Sequence, residues 1–296
     1  MKTTKLHPYH LWFTATILLF STSALFSQKK SCQDYYAEFD LYYKAEFAII
    51  SIIETDDSQK AYNELAKLLE HCSGFNENMY LQGEAMLKKI IQPLSIGEDR
   101  KIWIERLSDL YDSQSKYFPE VKNQNQVKKI ILQHNNNLLS DAETIAAFDA
   151  VFAQDKDVMT SDAYSIYSTL LITENLTEEN KPLAYLKKID AVDRAAHIRQ
   201  EKATQELSAF DNTENLTRDQ QRQAKTLKNE VTTFGLVSKN LTTHLKTNFT
   251  SCEDWMSFYK EDFEANKANV QWLEGALNRL EQQHCLNNNP LVEELA

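Results

Sequence analysis

The sequence is short of the residues that punctuate a chain. Five glycines and five prolines occur in 296 residues. A sheet protein of this length needs frequent tight turns, and those draw on these two residue types. Their scarcity excludes a mostly β fold and favours helices joined by short turns. The glycines stand apart, at 74, 83, 97, 235 and 275, so no glycine-rich loop exists to cradle a phosphate. Neither His-Glu-x-x-His nor Gly-x-Ser-x-Gly occurs, which removes the common zinc-protease and serine-hydrolase signatures. Basic charge is also in short supply, 32 Lys and Arg against 43 Asp and Glu, a net charge of −11. Such a chain repels phosphate backbones and anionic lipid surfaces, so nucleic acid is not an expected partner. Long apolar runs are equally rare. The single one, Leu11 to Phe20, is interrupted by Thr14 and Thr16.

That run has the surroundings of an export signal. Lys2 and Lys5 precede it and small residues follow from Ser21 to Ala24, the layout of a secretory signal peptide too short to span a bilayer. Residues 1–27 are expected to be removed, leaving Gln28 first, although Ala24 offers a second small-residue site. Lys29, Lys30 and Ser31 stand directly before Cys32, where a lipidation site needs small or apolar residues. The expected mature chain is exported, to the periplasm or cell surface, with no membrane span.

All four cysteines follow the signal, in a setting that permits disulfides. They belong to a unit that occurs twice. Ser31-Cys32-Gln33-Asp34-Tyr35 closes at His71-Cys72, and Ser251-Cys252-Glu253-Asp254-Trp255 closes at His284-Cys285. Each unit has room for two helices and a turn. Three pairings are possible in principle. An antiparallel hairpin sets the start of its first helix beside the end of its second, which ranks Cys32–Cys72 and Cys252–Cys285 first. Each bridge would stabilise by ~4 kcal/mol through loop entropy. The adjacent His-Cys pairs lack the spacing of a structural zinc site, so no metal is expected.

Helical periodicity runs through most of what remains. Ser31 with Asp34, Ser140 with Glu143, and Thr217 with Gln220 read as helix N-termini, and Asp56 to Ser58 read as a further cap. Tyr36, Phe39, Tyr43, Phe47 and Ile50 share one face, as do Ala61, Leu65, Leu68, Leu69 and Cys72. Met79–Ile91, Ile102–Phe118, Asn123–His134 and Ser161–Ile172 are expected helices, two of them stopped by Pro93 and Pro119. From Pro182 the pattern lengthens. Leu183–Phe210 reads as one helix. A second long one carries a seam of Ala224, Leu227, Val231, Phe234, Leu241 and Leu245, with polar Ser238 in its gap. In the last hairpin Val270, Leu273, Leu277 and Leu280 form the inward stripe, which leaves Trp272 off it and exposed. The expected fold is all-α, a tetratricopeptide-like stack of antiparallel helical hairpins with a long coiled-coil-like hairpin in the second half. Regions 28–180 and 181–296 follow the signal.

Ser251-Cys252-Glu253-Asp254-Trp255, Lys260 to Lys267, Trp272-Leu273 and Cys285 with Pro290-Leu291 resemble a family of exported helical-repeat proteins of Bacteroidota. The Cys32 to Cys72 hairpin, Leu110-Tyr111-Asp112, Tyr117-Phe118-Pro119 and the polar Glu201 to Gly235 stretch are similar too. The resemblance implies a tetratricopeptide-like architecture and assigns no reaction.

Chemistry-bearing residues are scattered. Asp193, His197 and Glu201 lie one turn apart on a helix face, a spacing that suits a divalent ion or, more plainly, a solvated polar face. Glu84, Glu105, Asp109 and Asp112 offer acid–base pairs only if a cleft gathers two of them. Trp103 and Trp272 are the aromatic candidates for ligand contact. No cofactor and no catalytic residue is expected. The expected function is a non-enzymatic helical module that binds a protein or peptide in the cell envelope. The alternative is a carbohydrate- or small-ligand-binding protein that uses exposed aromatics.

Overall fold

A computed structural model describes residues 30–44, 55–174, 183–210 and 216–286. The signal segment, Phe47, Ile50, the 211–215 turn and the tail after Leu286 lie outside the described residues. Those described contain eleven α-helices and no strand. They form two compact units, split between Pro119 and Glu120.

The first unit holds α1 (Cys32–Tyr42), α2 (Thr55–Cys72), α3 (Asn78–Ile91) and α4 (Glu98–Tyr117). Ser31 accepts from the Asp34 N–H while the Asp34 carboxylate accepts from the Ser31 N–H. This reciprocal cap satisfies donors that a helix start leaves orphaned. Cys32 is bonded to Cys72, Cα atoms 5.5 Å apart, so the start of α1 is fixed beside the end of α2. α2 already runs through Thr55, so Asp56 to Ser58 lie within it and do not precede it. The helices meet at Gly83 on α3. A Cβ there would stand 3.0 Å from a Leu65 methyl on α2 and 3.2 Å from a Leu110 methyl on α4. A side chain at 83 would therefore hold the three helices apart.

The second unit holds α5 (Lys122–His134), α6 (Asp141–Asp155), α7 (Ser161–Glu174), α8 (Leu183–Ser208), α9 (Arg218–Asn248), α10 (Cys252–Asn266) and α11 (Val270–Gln282). Reciprocal caps at Ser140–Glu143, Thr217–Gln220 and Ser251–Asp254 start α6, α9 and α10. Two helix ends use a left-handed residue. At Asn137 (φ 56°) the Leu138 N–H reaches the Gln133 carbonyl, and at His284 (φ 58°) the Cys285 N–H reaches the Leu280 carbonyl. That six-to-one bond reverses the chain within three residues. At the second site it delivers Cys285 to Cys252, Cα atoms 5.3 Å apart. The two His-Cys closings therefore differ. His71 is the penultimate residue of α2, its ring stacked 5.0 Å from Tyr35, whereas His284 is the turn itself.

One apolar core runs through the second unit, from Val127 to Cys285. α8 and α9 form the long hairpin, and α7 crosses it where Tyr164 meets Phe234 edge-on at 5.4 Å. The expected boundary at 180/181 falls inside this unit. On α9, Leu227, Phe234, Leu241 and Leu245 are buried, joined by Val237. All four cysteines are bridged, the chemistry of a compartment outside the reducing cytoplasm. No helix among the described residues is long and apolar enough to cross a membrane.

Candidate functional site

Four charged side chains converge beneath the surface of the second unit. Asp190 and Asp193 on α8 are each 1% exposed. Both lie one helical step beside the apolar stripe of Ile189 and Val192, which turns them toward α9 and the clasped α10–α11 hairpin. Arg279 on α11 sits between Ala276 and Leu280 on a buried face and is 6% exposed. Its Nη2 donates to Asp193 Oδ2, its Nη1 donates to Thr242 Oγ1 at 2.8 Å, and its Nε lies 3.8 Å from Asp190 Oδ1. Arg194 pairs with Asp190 through Nε at 3.0 Å. Ser238 and Thr242 on α9 donate to Asp193 at 2.6 and 3.0 Å, and the Tyr259 hydroxyl on α10 donates to Asp190 at 3.1 Å.

The arrangement is electrically closed: two carboxylates, two guanidiniums, and hydroxyls on the carboxylate lone pairs. A lone charge at such depth costs several kcal/mol in lost hydration, and only a close counter-charge with satisfied hydrogen bonds offsets it. Burial draws the Arg279 guanidinium below its ordinary value and the Asp190 carboxylate opposes this; arginine stays charged throughout. Burial drives the Tyr259 hydroxyl far above the usual phenol value, with the Asp190 charge adding to the effect. A general acid needs a carboxyl free to exchange its proton with a substrate. Here both carboxylates are held by cations, so the cluster is an ionic rivet through α8, α9, α10 and α11.

The rivet floors a small cleft. Asp193, Arg194, Ser238 and Arg279 line its base, and His197, Glu201, Glu274 and Asn278 stand around it, enclosing ≈ 190 Å³. Gly275 makes the wall thin: a Cβ there would stand 2.7 Å from Arg194 Cδ. A second, larger hollow of ≈ 560 Å³ continues along α8 past Arg199, Lys202 and Glu206. Ile198 and Gln271 line both hollows, so the two adjoin on either side of Ile198. Ile198 is 42% exposed. The α8 lining of the two hollows together runs from Asp193 to Glu206, about 20 Å at ~1.5 Å rise per residue. The far hollow carries Lys156, Arg199 and Lys202 against Asp157, Glu206 and Glu230, an even balance within a strongly acidic chain.

The residues singled out by sequence fare unequally. Asp193, His197 and Glu201 do share the groove, yet Asp193 is committed to Arg279, and His197 Nε2 lies 3.3 Å from Glu201 Oε1 in the open. No set of three such side chains places itself to hold a metal ion among the described residues. Glu84 is buried and accepts from Tyr111 and Lys88, while Glu105, Asp109 and Asp112 lie exposed along α4. The expectation that Trp272 is exposed is corrected: it is 9% exposed, edge-on to Tyr259 at 5.9 Å, with Arg194 5.9 Å from its ring. Val270, placed inward by the stripe, is 65% exposed. The buried face of α11 is instead Trp272, Ala276, Arg279 and Leu280, and an arginine within it breaks the apolar pattern that sequence reading follows. Trp103 is buried too, 7% exposed, edge-on to Tyr62, with Arg106 over both rings. Neither indole offers a free face. Sequence reasoning missed Arg279 and Asp190. The one available signal was polar Ser238 in the α9 seam, which the structure pairs with Asp193. Comparisons with protein-family models, with curated proteins and with solved structures find no significant match.

Proposed function

We propose that this chain is a non-catalytic, exported helical module, built of tetratricopeptide-like hairpins, that binds a segment of polypeptide in the groove along α8. The observation that carries the reading is the groove itself. Its two adjoining hollows are mixed in charge and meet at a half-exposed isoleucine. The ~20 Å of α8 that they border matches the length of about six extended residues at ~3.3 Å each. A polypeptide offers what such a lining asks for, backbone donors and acceptors, an apolar side chain for Ile198, and charges of both signs. Stacked hairpins present surfaces of this kind without a catalytic point. The carbohydrate reading looked to tyrosines and tryptophans as stacking platforms; Trp103, Trp272, Tyr164 and Tyr167 are buried, and Tyr35, Tyr36, Tyr42 and Tyr43 are half-buried. The two cystines support a role outside the cytoplasm, and the resemblance to exported Bacteroidota proteins belongs to the same reading.

The test is selection of a phage-displayed random peptide library on the full chain. Binders are expected that lose affinity on Ile198→Glu and keep it on Val270→Glu, a more exposed apolar position of the same unit. No enriched binder, or binders indifferent to Ile198→Glu, would overturn the reading.

A further inference from the structure

The floor of the larger hollow contains a polar atom that the fold leaves unused. Tyr164 on α7 is fully buried, and its hydroxyl has no hydrogen-bond partner among the described residues. The ring is clamped edge-on between Phe234 and Phe152, so the hydroxyl cannot swing away to water. It lies within electrostatic reach of Arg199 and Asp157, which line the same hollow. A buried hydroxyl without a partner costs about 1–3 kcal/mol. Phenylalanine would fill the same space without that cost, so the hydroxyl needs another explanation.

Two of the cations around it, Lys156 and Lys202, have no carboxylate partner among the described residues. Arg199 lies over Phe234 and donates through Nη1 to the Asp157 backbone carbonyl at 2.6 Å, a neutral acceptor. Three cations and one donor hydroxyl thus border one hollow of a chain whose net charge is −11. Further along, Glu206 and Glu230 provide the opposite sign.

We infer that this hollow is a subsite for a carboxylate side chain, an Asp or Glu of the bound polypeptide, received by the Tyr164 hydroxyl with Arg199, Lys202 and Lys156. The inference rests on the groove reading above and names its selectivity. Arg199 exchanges a neutral carbonyl for a charged acceptor, a bond about twice as strong. One carboxylate suits the site better than a doubly charged phosphate, because Asp157, Glu206 and Glu230 oppose a second negative charge.

The probe is a pair of amidated octapeptide pools, randomised except at one central position, fixed as Glu in one and Gln in the other. Each is passed over the immobilised full chain and the retained fraction is weighed by mass spectrometry. The Glu pool is expected to be retained roughly tenfold over the Gln pool, the factor that one charge-assisted hydrogen bond supplies. Tyr164→Phe and Lys202→Gln should each bring the two pools toward parity. Tyr164→Phe should leave Tm unchanged or raised, since it removes an unpaired buried hydroxyl. Equal retention of the pools by the wild type overturns the carboxylate subsite and leaves peptide binding standing. Retention of neither pool overturns both. A Tyr164→Phe chain that keeps the preference, or that melts several degrees lower, overturns the part given to the hydroxyl.

Discussion

At the scale of single residues, the heaviest demands fall on Arg279. Truncating it strands two buried carboxylates, and breaking one side of a buried pair typically costs about 3–5 kcal/mol. Arg279→Ala is therefore expected to lower Tm by roughly 10 °C, at a few degrees per kcal/mol for a chain of this size. Asp193→Ala alone should be comparably harmful. The double variant should lose clearly less than the sum, since each change removes the partner the other leaves unpaired. Additive losses in thermal melts of the three variants would show that the rivet is not a unit. The buried tyrosines make a second prediction. Burial is the leading cause holding the hydroxyls of Tyr80, Tyr111, Tyr164, Tyr167 and Tyr259 above the ordinary phenol value. The folded chain therefore keeps these protons when the unfolded chain would lose them. Stability from this source is complete below about pH 10 and falls as pH rises beyond it. An alkaline titration followed by tyrosinate absorbance should show at least five tyrosines that ionise only together with loss of helical circular dichroism. Smooth, independent ionisation of every tyrosine would contradict their burial.

At the scale of elements, the clasped hairpins were the most legible part of the sequence. The pairing follows from hairpin geometry, and the caps at Ser31, Ser140 and Thr217 follow from residue chemistry three positions apart. Reducing Cys252–Cys285, or replacing both with Ser, is expected to destabilise the second unit by ~4 kcal/mol on chain-entropy grounds. Urea midpoints of the oxidised and Ser-substituted chains measure this. The closing turn adds a finer prediction. His284 occupies the left-handed region, which a β-branched side chain strongly resists. His284→Val should cost about 1–2 kcal/mol and His284→Gly should be tolerated. Equal midpoints for the two variants would contradict that backbone. What the sequence hid at this scale was face assignment on α11. Periodicity counts apolar residues, so a buried arginine carried no weight and the inward face was set away from Trp272. Asp193 read as a metal-binding or solvated face for the same reason, and Asp190 drew no reading. Asp190 and Asp193 are buried because Arg279 of α11 and hydroxyls of α9 and α10 join Arg194 around them, and the Asp190–Arg194 spacing is the only part of that visible locally.

At the scale of the whole molecule, the all-helical class was written in the scarcity of glycine and proline, and the oxidised cysteines fit the export signal read at the N-terminus. The groove was not legible at all. Its lining comes from α8, α9, α11 and the turn before α7, and only tertiary packing brings Lys156, Ile198, Glu230 and Gln271 to one surface. The long α8–α9 hairpin thus serves two ends. One face builds the core, and the other borders the two hollows.

The most direct measurement is a cross-linking map. A display-selected peptide carrying a photoreactive side chain is bound to the full-length chain, irradiated, and its attachment sites read by mass spectrometry. Occupancy of the α8 groove predicts adducts at residues 195–206, at 156–157 and at Gln271. Adducts confined to α1–α4, or to the Val270 flank of α11, would contradict it.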